Sequence, residues 1–247
     1  MGTSKFTAEY DSFEAALLAA CERLRQLEIE VRDYVPKTRE QAIEELKISQ
    51  PLEGAGFDLW STKDKASWYE RQVELYLDMG YQIRILVGKR FIAEHAVILM
   101  MSAALAEALI NVSMQYLLAK SGKVHMFPLF DKWSIKEKWE FGPQLAIDTY
   151  TFPRTSKTYN VLKELITARN AAIHYEGLLE LEGVPYYKGK SFYKPNVPEQ
   201  LPWLKKVANL PYALYFHLLQ HFQWEDQPSI VLGINEPFPD CSIKTKV

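Results

Sequence analysis

The sequence predicts an all-α protein, and three observations support that fold class. Glycine is scarce, with 11 among 247 residues. Long runs are rich in Leu, Ala, Glu and Lys, which are strong helix formers. Apolar residues recur at helical spacing along most of the chain. Because 48% of the residues are apolar, the chain can bury a core, and disorder of the bulk is excluded.

An N-terminal helical extension, residues 1–60, is predicted to pack on or beside the core. It holds two helices. The first begins at Asp11, where Glu14 completes a variant of the capping box. The second begins at Thr38, where Gln41 stands three residues later and completes a second capping box.

The core is predicted over residues 61–226 as a bundle of long helices. A third helix begins near the start of this region and stops at Gly80, because glycine is the usual residue after a helix end. A fourth helix continues to Lys120, with a break near Gly88 as an open alternative.

The second half of the core carries an insertion. A helix capped by Thr155 or Ser156 leads into residues 178–197, which read as a small hairpin or an ordered loop. A last helix spans about residues 199–224. The tail, residues 227–247, contains three prolines and is expected to be extended.

The charge balance excludes a global basic field. Lys and Arg number 29 against 31 Asp and Glu, so the formal charge is −2, and nucleic-acid binding needs a local patch. Cys21 and Cys241 form neither a disulfide framework nor a zinc-site spacing, so we expect a cytoplasmic protein. The apolar run at 96–105 is shorter than the roughly 20 residues that span a bilayer, so no membrane is expected.

Residues 162–177 carry a candidate catalytic motif. Arg169 and His174 are five positions apart, about 140° around an ideal helix, whereas Asn170 and His174 share a face. An imidazole moves protons near neutral pH, and a guanidinium stabilises a charged phosphate. The alternative is structural, because cations also complement the dipole at a helix C-terminus.

The stretch Arg169-Asn170-Ala171-Ala172-Ile173-His174 resembles the motif of the HEPN superfamily (higher eukaryotes and prokaryotes nucleotide-binding domains). Members are all-α bundles whose late helix carries Arg and His four to six residues apart, often with Asn after the Arg. Residues 102–119 resemble the earlier core helix of that family. The resemblance covers about residues 68–224 and implies an up-and-down bundle with extra N-terminal helices.

The resemblance implies a metal-independent endoribonuclease that cleaves RNA by attack of the 2′-hydroxyl. His174 is then the acid and base, Arg169 the phosphate stabiliser, Asn170 a group that orients His174 or binds substrate, and Glu107 a group that positions Arg169. The expected substrate contacts are Asn111, Tyr175, Lys188 and Lys190.

The same resemblance implies the partners. They are RNA, a second copy of the chain whose motif lines the same cleft, and a neutralising protein in a prokaryotic toxin-type or antiviral-defence system. No cofactor is expected. Some members of the family have lost catalysis, so the alternative function is a helical module that binds a protein or a nucleotide.

A metal site is an alternative interpretation of the last helix. His217, His221 and Glu225 follow one another at intervals of four and fall on one helical face, where they provide ligands of the kind that zinc takes. The other interpretation places them at the edge of an aromatic core. The ribonuclease interpretation needs no metal.

Two clusters of lysines and aromatic residues are candidate RNA contacts. Rings stack on unpaired bases, and lysines follow phosphates. The alternative is a loop held down by its rings, with its lysines in solvent. One cluster lies within residues 186–194, and the other consists of Lys132, Trp133, Lys136, Lys138 and Trp139.

Overall fold

The structure, a computed structural model, describes part of the chain in detail. For residues 171–174, the strands and several other positions it describes the backbone alone. The described residues are 5–33, 38–49, 56–174, 178–181, 184–187, 190–191, 197–221 and 236–243.

The described residues form helices with one small sheet, which confirms the all-α class. Helices α1 to α7 are Lys5–Asp33, Arg39–Ser49, Thr62–Lys120, Phe127–Phe130, Ile135–Phe141, Lys157–His174 and Val197–Leu219. Strands β1 to β3 are Leu178–Leu181, Val184–Tyr187 and Lys190–Ser191. Short 3₁₀ turns lie at Val124–Met126, Gly142–Leu145 and Pro239–Cys241.

The insertion between α6 and α7 contains strands. They form an antiparallel sheet in the order β1-β2-β3. Leu178 pairs with Tyr187, and Tyr186 pairs with Ser191. The hairpin interpretation of the insertion is therefore confirmed over the strand residues.

Helix α1 begins at Lys5, so the predicted start at Asp11 is wrong. The residues before Asp11 contain no helix breaker, and Tyr10 is buried, which favours continuation of the helix. Glu14 has a different partner from the one that a capping box supplies. Its Oε1 accepts a hydrogen bond of 2.9 Å from the Tyr212 hydroxyl. Burial and the charge of Glu14 both raise the pKa of Tyr212.

The predicted capping box at the start of α2 is confirmed. The Gln41 backbone N–H donates to Thr38 Oγ1 at 3.3 Å, and the Thr38 backbone N–H donates to Gln41 Oε1 at 3.0 Å. Two of the otherwise unsatisfied donors at the helix start are thereby satisfied.

Helix α3 is continuous over 59 residues, so the stop at Gly80 and the break near Gly88 are wrong. A glycine inside a helix costs only about 1 kcal/mol relative to alanine. The helix ends at Lys120, and Gly122, two residues later, has a φ of 69° in the left-handed region. There the Lys123 N–H donates to the Leu118 carbonyl at 2.7 Å, as in a Schellman motif.

The chain divides into two compact units, which differ from the predicted domains at 60/61 and 226/227. The larger unit is Met1–Arg25 with Ile92–Val247, and the smaller is Gln26–Phe91. The boundaries therefore fall inside α1 and α3. In the smaller unit, α2 and α3 pack through Ala42, Leu46 and Val73.

In the larger unit, the second half of α3 is a core helix. The segment Ala93–Lys120 is long and apolar enough to cross a membrane, by length and composition. Its most apolar window is 61% buried inside the protein, however, and Ile98, Leu105 and Leu109 have almost no exposed surface. Each such side chain contributes roughly 1.5–3 kcal/mol by leaving water.

Of the tail, residues 236–243 are described, and the extended conformation of the whole tail stays a prediction. Residues 236–243 include a 3₁₀ turn, and Phe238 and Ile243 are buried within the larger unit. The buried amide of Asn209 donates to the Phe238 carbonyl at 2.6 Å and accepts from the Phe238 N–H at 2.9 Å. Thr158 donates to the Ile243 carbonyl at 3.2 Å. These bonds satisfy backbone groups that an apolar tail alone would leave unpaired.

Candidate functional site

Helix α6 carries the candidate motif, and Ser156 fixes its start. The Tyr159 N–H donates to Ser156 Oγ at 3.1 Å, which is the N-cap arrangement that the sequence predicts. The helix extends from Lys157 to His174 and packs against α7. The motif therefore occupies the last two turns of a helix anchored to the core.

Arg169 lies on the buried face of α6. Helical geometry places it in one stripe with Leu162 and Leu165, both buried. Its side chain is half-buried. Among the described residues, none forms an ion pair or hydrogen bond with its guanidinium. A permanent cation at the edge of a core without a carboxylate partner is suited to binding an anion.

The opposite side of α6 is polar and exposed. Lys163, Thr167 and Asn170 are all exposed. With the spacing 163, 167, 170 and 174, the helical period places position 174 on this same face. We call these four positions the outer face of α6. At the level of the backbone, Asn170 and His174 therefore share a face, and Arg169 and His174 do not.

Glu107 has a partner that the sequence interpretation did not assign. Lys138 Nζ lies 2.9 Å from Glu107 Oε1, and the Lys138 side chain is only 2% exposed. Asp131 lies farther from the same ammonium, at 3.8 Å. The described bond of Glu107 is thus to Lys138, and its role in positioning Arg169 stays a prediction.

Asn111 lies one turn after Glu107 on α3. Its side chain is half-buried, and its Oδ1 is buried without a hydrogen-bond partner in the described part of the chain. A buried amide oxygen without a partner costs about 1–3 kcal/mol, so a ligand or water there is favoured. Its role as a substrate contact stays a prediction.

The remaining predicted substrate contacts are not described in atomic detail. Tyr175 and Lys188 lie outside the described residues. Lys190 begins β3 and pairs with Tyr187 across the sheet, and its backbone alone is described, as is that of His174.

The two histidines of the candidate metal set lie in an aromatic cluster. The rings of His217 and His221 are 5.2 Å apart, and Tyr150 packs against both. His217 Nε2 lies 3.2 Å from the Thr151 carbonyl oxygen, to which the ring N–H donates a hydrogen bond. Burial lowers the pKa of both histidines, and repulsion from His217 lowers that of His221 further. Glu225 lies outside the described residues.

The described residues thus support the interpretation of His217 and His221 as the edge of an aromatic core. Among these residues, no group of three or more His, Cys, Asp or Glu side chains is arranged to hold a metal ion. A metal site that includes Glu225 stays an alternative prediction.

Sequence reasoning missed that the Lys–aromatic cluster within residues 132–139 is divided between the interior and the surface. Lys138 and Trp139 are buried, and Trp139 Nε1 donates to the Ala106 carbonyl at 3.1 Å. A signal for this was present, because Ile135, Lys138 and Trp139 have the spacing of a buried helical stripe. Of the other members, Lys132 is exposed, and Lys136 and Trp133 are half-buried.

Lys136 and Lys163 approach one ring. Lys136 Nζ lies 5.8 Å from the centroid of Tyr159, and Lys163 Nζ lies 5.7 Å from it. We call these two residues the lysine pair. No sequence signal linked them, since one is on α5 and the other on α6.

Comparisons of this chain with protein-family models, with curated proteins and with solved structures find no match.

Proposed function

We propose that this protein is a metal-independent endoribonuclease of the HEPN type, with its chemistry at the end of α6. The observation that carries the proposal is Arg169. It is a half-buried guanidinium with no described carboxylate partner, five residues before a histidine that ends the same helix. A phosphodiester is the ligand that best matches a cation of this kind beside a proton-transfer group.

The chemistry follows from the two side-chain types. His174 removes the proton of a ribose 2′-hydroxyl, whose oxygen attacks the adjacent phosphorus. The bond from phosphorus to the 5′-oxygen breaks, and an imidazolium returns a proton to that oxygen. Arg169 stabilises the charge that builds on the phosphoryl oxygens. The products carry a 2′,3′-cyclic phosphate and a 5′-hydroxyl.

A homodimer is part of the proposal. Arg169 and position 174 are about 140° apart around α6, so one protomer presents them on different sides. Two copies of the motif facing one cleft place an arginine and a histidine on the same phosphate. The cytoplasm, a defence or toxin-type system and a neutralising partner protein complete the proposed setting.

The test is cleavage of RNA in EDTA by the wild-type dimer. We expect cleavage of single-stranded RNA, with cyclic phosphate ends, and no cleavage of the same sequence made with 2′-deoxyribose. Cleavage of both substrates would exclude attack by the 2′-hydroxyl. If varied RNAs stay intact while Arg169→Ala changes dimerisation or partner binding, the chain is the non-catalytic helical module instead.

A further inference from the structure

The ring that both members of the lysine pair approach is fixed by the core. Tyr159 is only 8% exposed, and its ring packs edge-on against Phe152 at 5.9 Å. Because both ammonium groups are measured from this one ring centroid, they lie within about 11.5 Å of each other around a ring that the core fixes.

Neither lysine of the pair forms an ion pair with a described carboxylate. The nearby acids have other partners. Glu137, which follows Lys136, accepts from the Ser134 hydroxyl at 2.7 Å. Glu164, which follows Lys163, accepts from Trp203 Nε1 at 2.7 Å. Both donors are neutral, so Glu137 and Glu164 keep their charges, and the pair consists of two ammonium groups without an ion-pair partner among the described carboxylates.

The pair is continuous with the motif. Lys163 begins the outer face of α6, which continues through Thr167 and Asn170, both exposed, to position 174. Lys163 and His174 are eleven positions apart in the helix, a distance of about 16 Å along the axis. A single strand of a few nucleotides spans that distance.

We propose that the lysine pair binds the phosphates of single-stranded RNA a few nucleotides away from the bond that is cut. Two ammonium groups without a described ion-pair partner, on a face that continues through the exposed Thr167 and Asn170, support a nucleic-acid backbone as the occupant. This inference deepens the proposed ribonuclease function and identifies residues that bind substrate without taking part in the chemistry.

The test measures binding rather than cleavage. A fluorescent single-stranded RNA of about 12 nucleotides is titrated with the full chain carrying His174→Ala, alone or with Lys136→Gln and Lys163→Gln. We expect the double substitution to weaken binding about tenfold at 0.1 M salt, similarly for different sequences. The slope of log K against log salt should fall by about 1.4, since each phosphate contact on a single strand contributes about 0.7.

Two controls make the result specific. Lys206→Gln removes an exposed lysine from α7 and should leave binding unchanged. Replacing both members of the pair by arginine keeps the charge and should retain binding. Circular dichroism checks that each variant keeps its helix content.

The possible results separate the two proposals. Unchanged RNA affinity in the double variant, or no RNA binding at all, would overturn the role of the pair. Preference for poly-glutamate over RNA would assign the surface to an acidic protein and also overturn it. If wild type cuts RNA but the double variant binds RNA as well as its parent, the ribonuclease proposal is retained and the role of the lysine pair is overturned. If RNA binding depends on the pair but wild type does not cut, the binding surface stands and the ribonuclease fails.

Discussion

Lys136 and Lys138 are two residues apart on α5, yet they lie in opposite environments. Lys138 is 2% exposed and paired with Glu107, whereas Lys136 is half-buried at the surface over Tyr159, without a described carboxylate partner. The buried lysine is a structural charge whose desolvation requires its partner. The surface lysine, like Arg169, is available to an anion. What distinguishes them is the carboxylate, and not the residue type.

Arg169→Ala tests the cation without a described partner and has the largest expected effect. We expect the cleavage rate to fall about 10²- to 10³-fold, as when one donor to a transition-state oxygen is lost. The free energy of unfolding should change by about 1 kcal/mol or less, because only stem packing is lost. Cleavage kinetics and urea unfolding give the two values. Arg71→Ala, at an exposed arginine of α3, is the control. A variant that unfolds readily but cuts normally would show that Arg169 is structural.

Glu107→Gln tests the paired cation. It leaves the Lys138 ammonium buried, with only Asp131 nearby at 3.8 Å. We expect the free energy of unfolding to fall by about 3 kcal/mol, at the lower end for breaking a buried pair, because Glu107 is itself 35% exposed. Lys136→Gln should change it by less than about 0.5 kcal/mol. Equal losses in urea unfolding would contradict the division between interior and surface.

His95 extends the comparison to a buried group that is neutral. Burial lowers its pKa to about 4, and its ring lies 5.8 Å from that of Trp203. The unfolded chain takes up this proton below about pH 6.5 and the folded chain only near pH 4, so stability falls as the pH drops through that range. His95 is expected to lower the free energy of unfolding by about 2 kcal/mol between pH 7 and pH 5.

His95→Leu should remove this contribution. The difference in unfolding free energy between pH 7 and pH 5 should be smaller in the variant than in wild type by about that amount. An identical pH dependence in the two proteins would show that His95 does not control acid stability.

Ser134→Ala tests the stability of α5, the helix that carries Lys136 and Lys138. The Ser134 side chain accepts from the Glu137 N–H at 3.3 Å, and Glu137 accepts from the Ser134 N–H at 2.9 Å. Loss of this N-cap should cost about 1 kcal/mol in thermal or urea unfolding. Threonine at the same position should retain most of the stability. No loss with alanine would mean that packing alone determines where α5 begins.

Local chemistry explains which parts of the fold could be predicted. The capping box at Thr38 and the cap at Ser156 depend on neighbours in the sequence, and both are confirmed. The predicted helix end at Gly80 and break near Gly88 were wrong because glycine permits a helix end without requiring one. Helix α3 instead ends just before Gly122. Tertiary packing decides whether a helix continues through a glycine or ends there, and the position of the glycines alone does not show which occurs.

In the candidate site too, what depends on local sequence could be predicted, and what depends on packing between distant helices could not. Helical periodicity places Arg169 and Asn170 on different sides of α6, and their burial agrees with it. The pairing of Glu107 with Lys138 joins residues 31 positions apart in sequence. Nothing in the local sequence distinguishes that partner from Arg169, because contacts between distant helices depend on how the whole bundle packs.

The most direct measurement is the ratio of single-turnover RNA cleavage rates in EDTA for wild type and His174→Ala, with His125→Ala as a matched control at an exposed histidine. We predict that His174→Ala is slower by about 10³-fold, within the usual range for loss of a general acid or base, and that the control equals wild type. Equal rates for wild type and His174→Ala would contradict the assignment of catalysis to the end of α6.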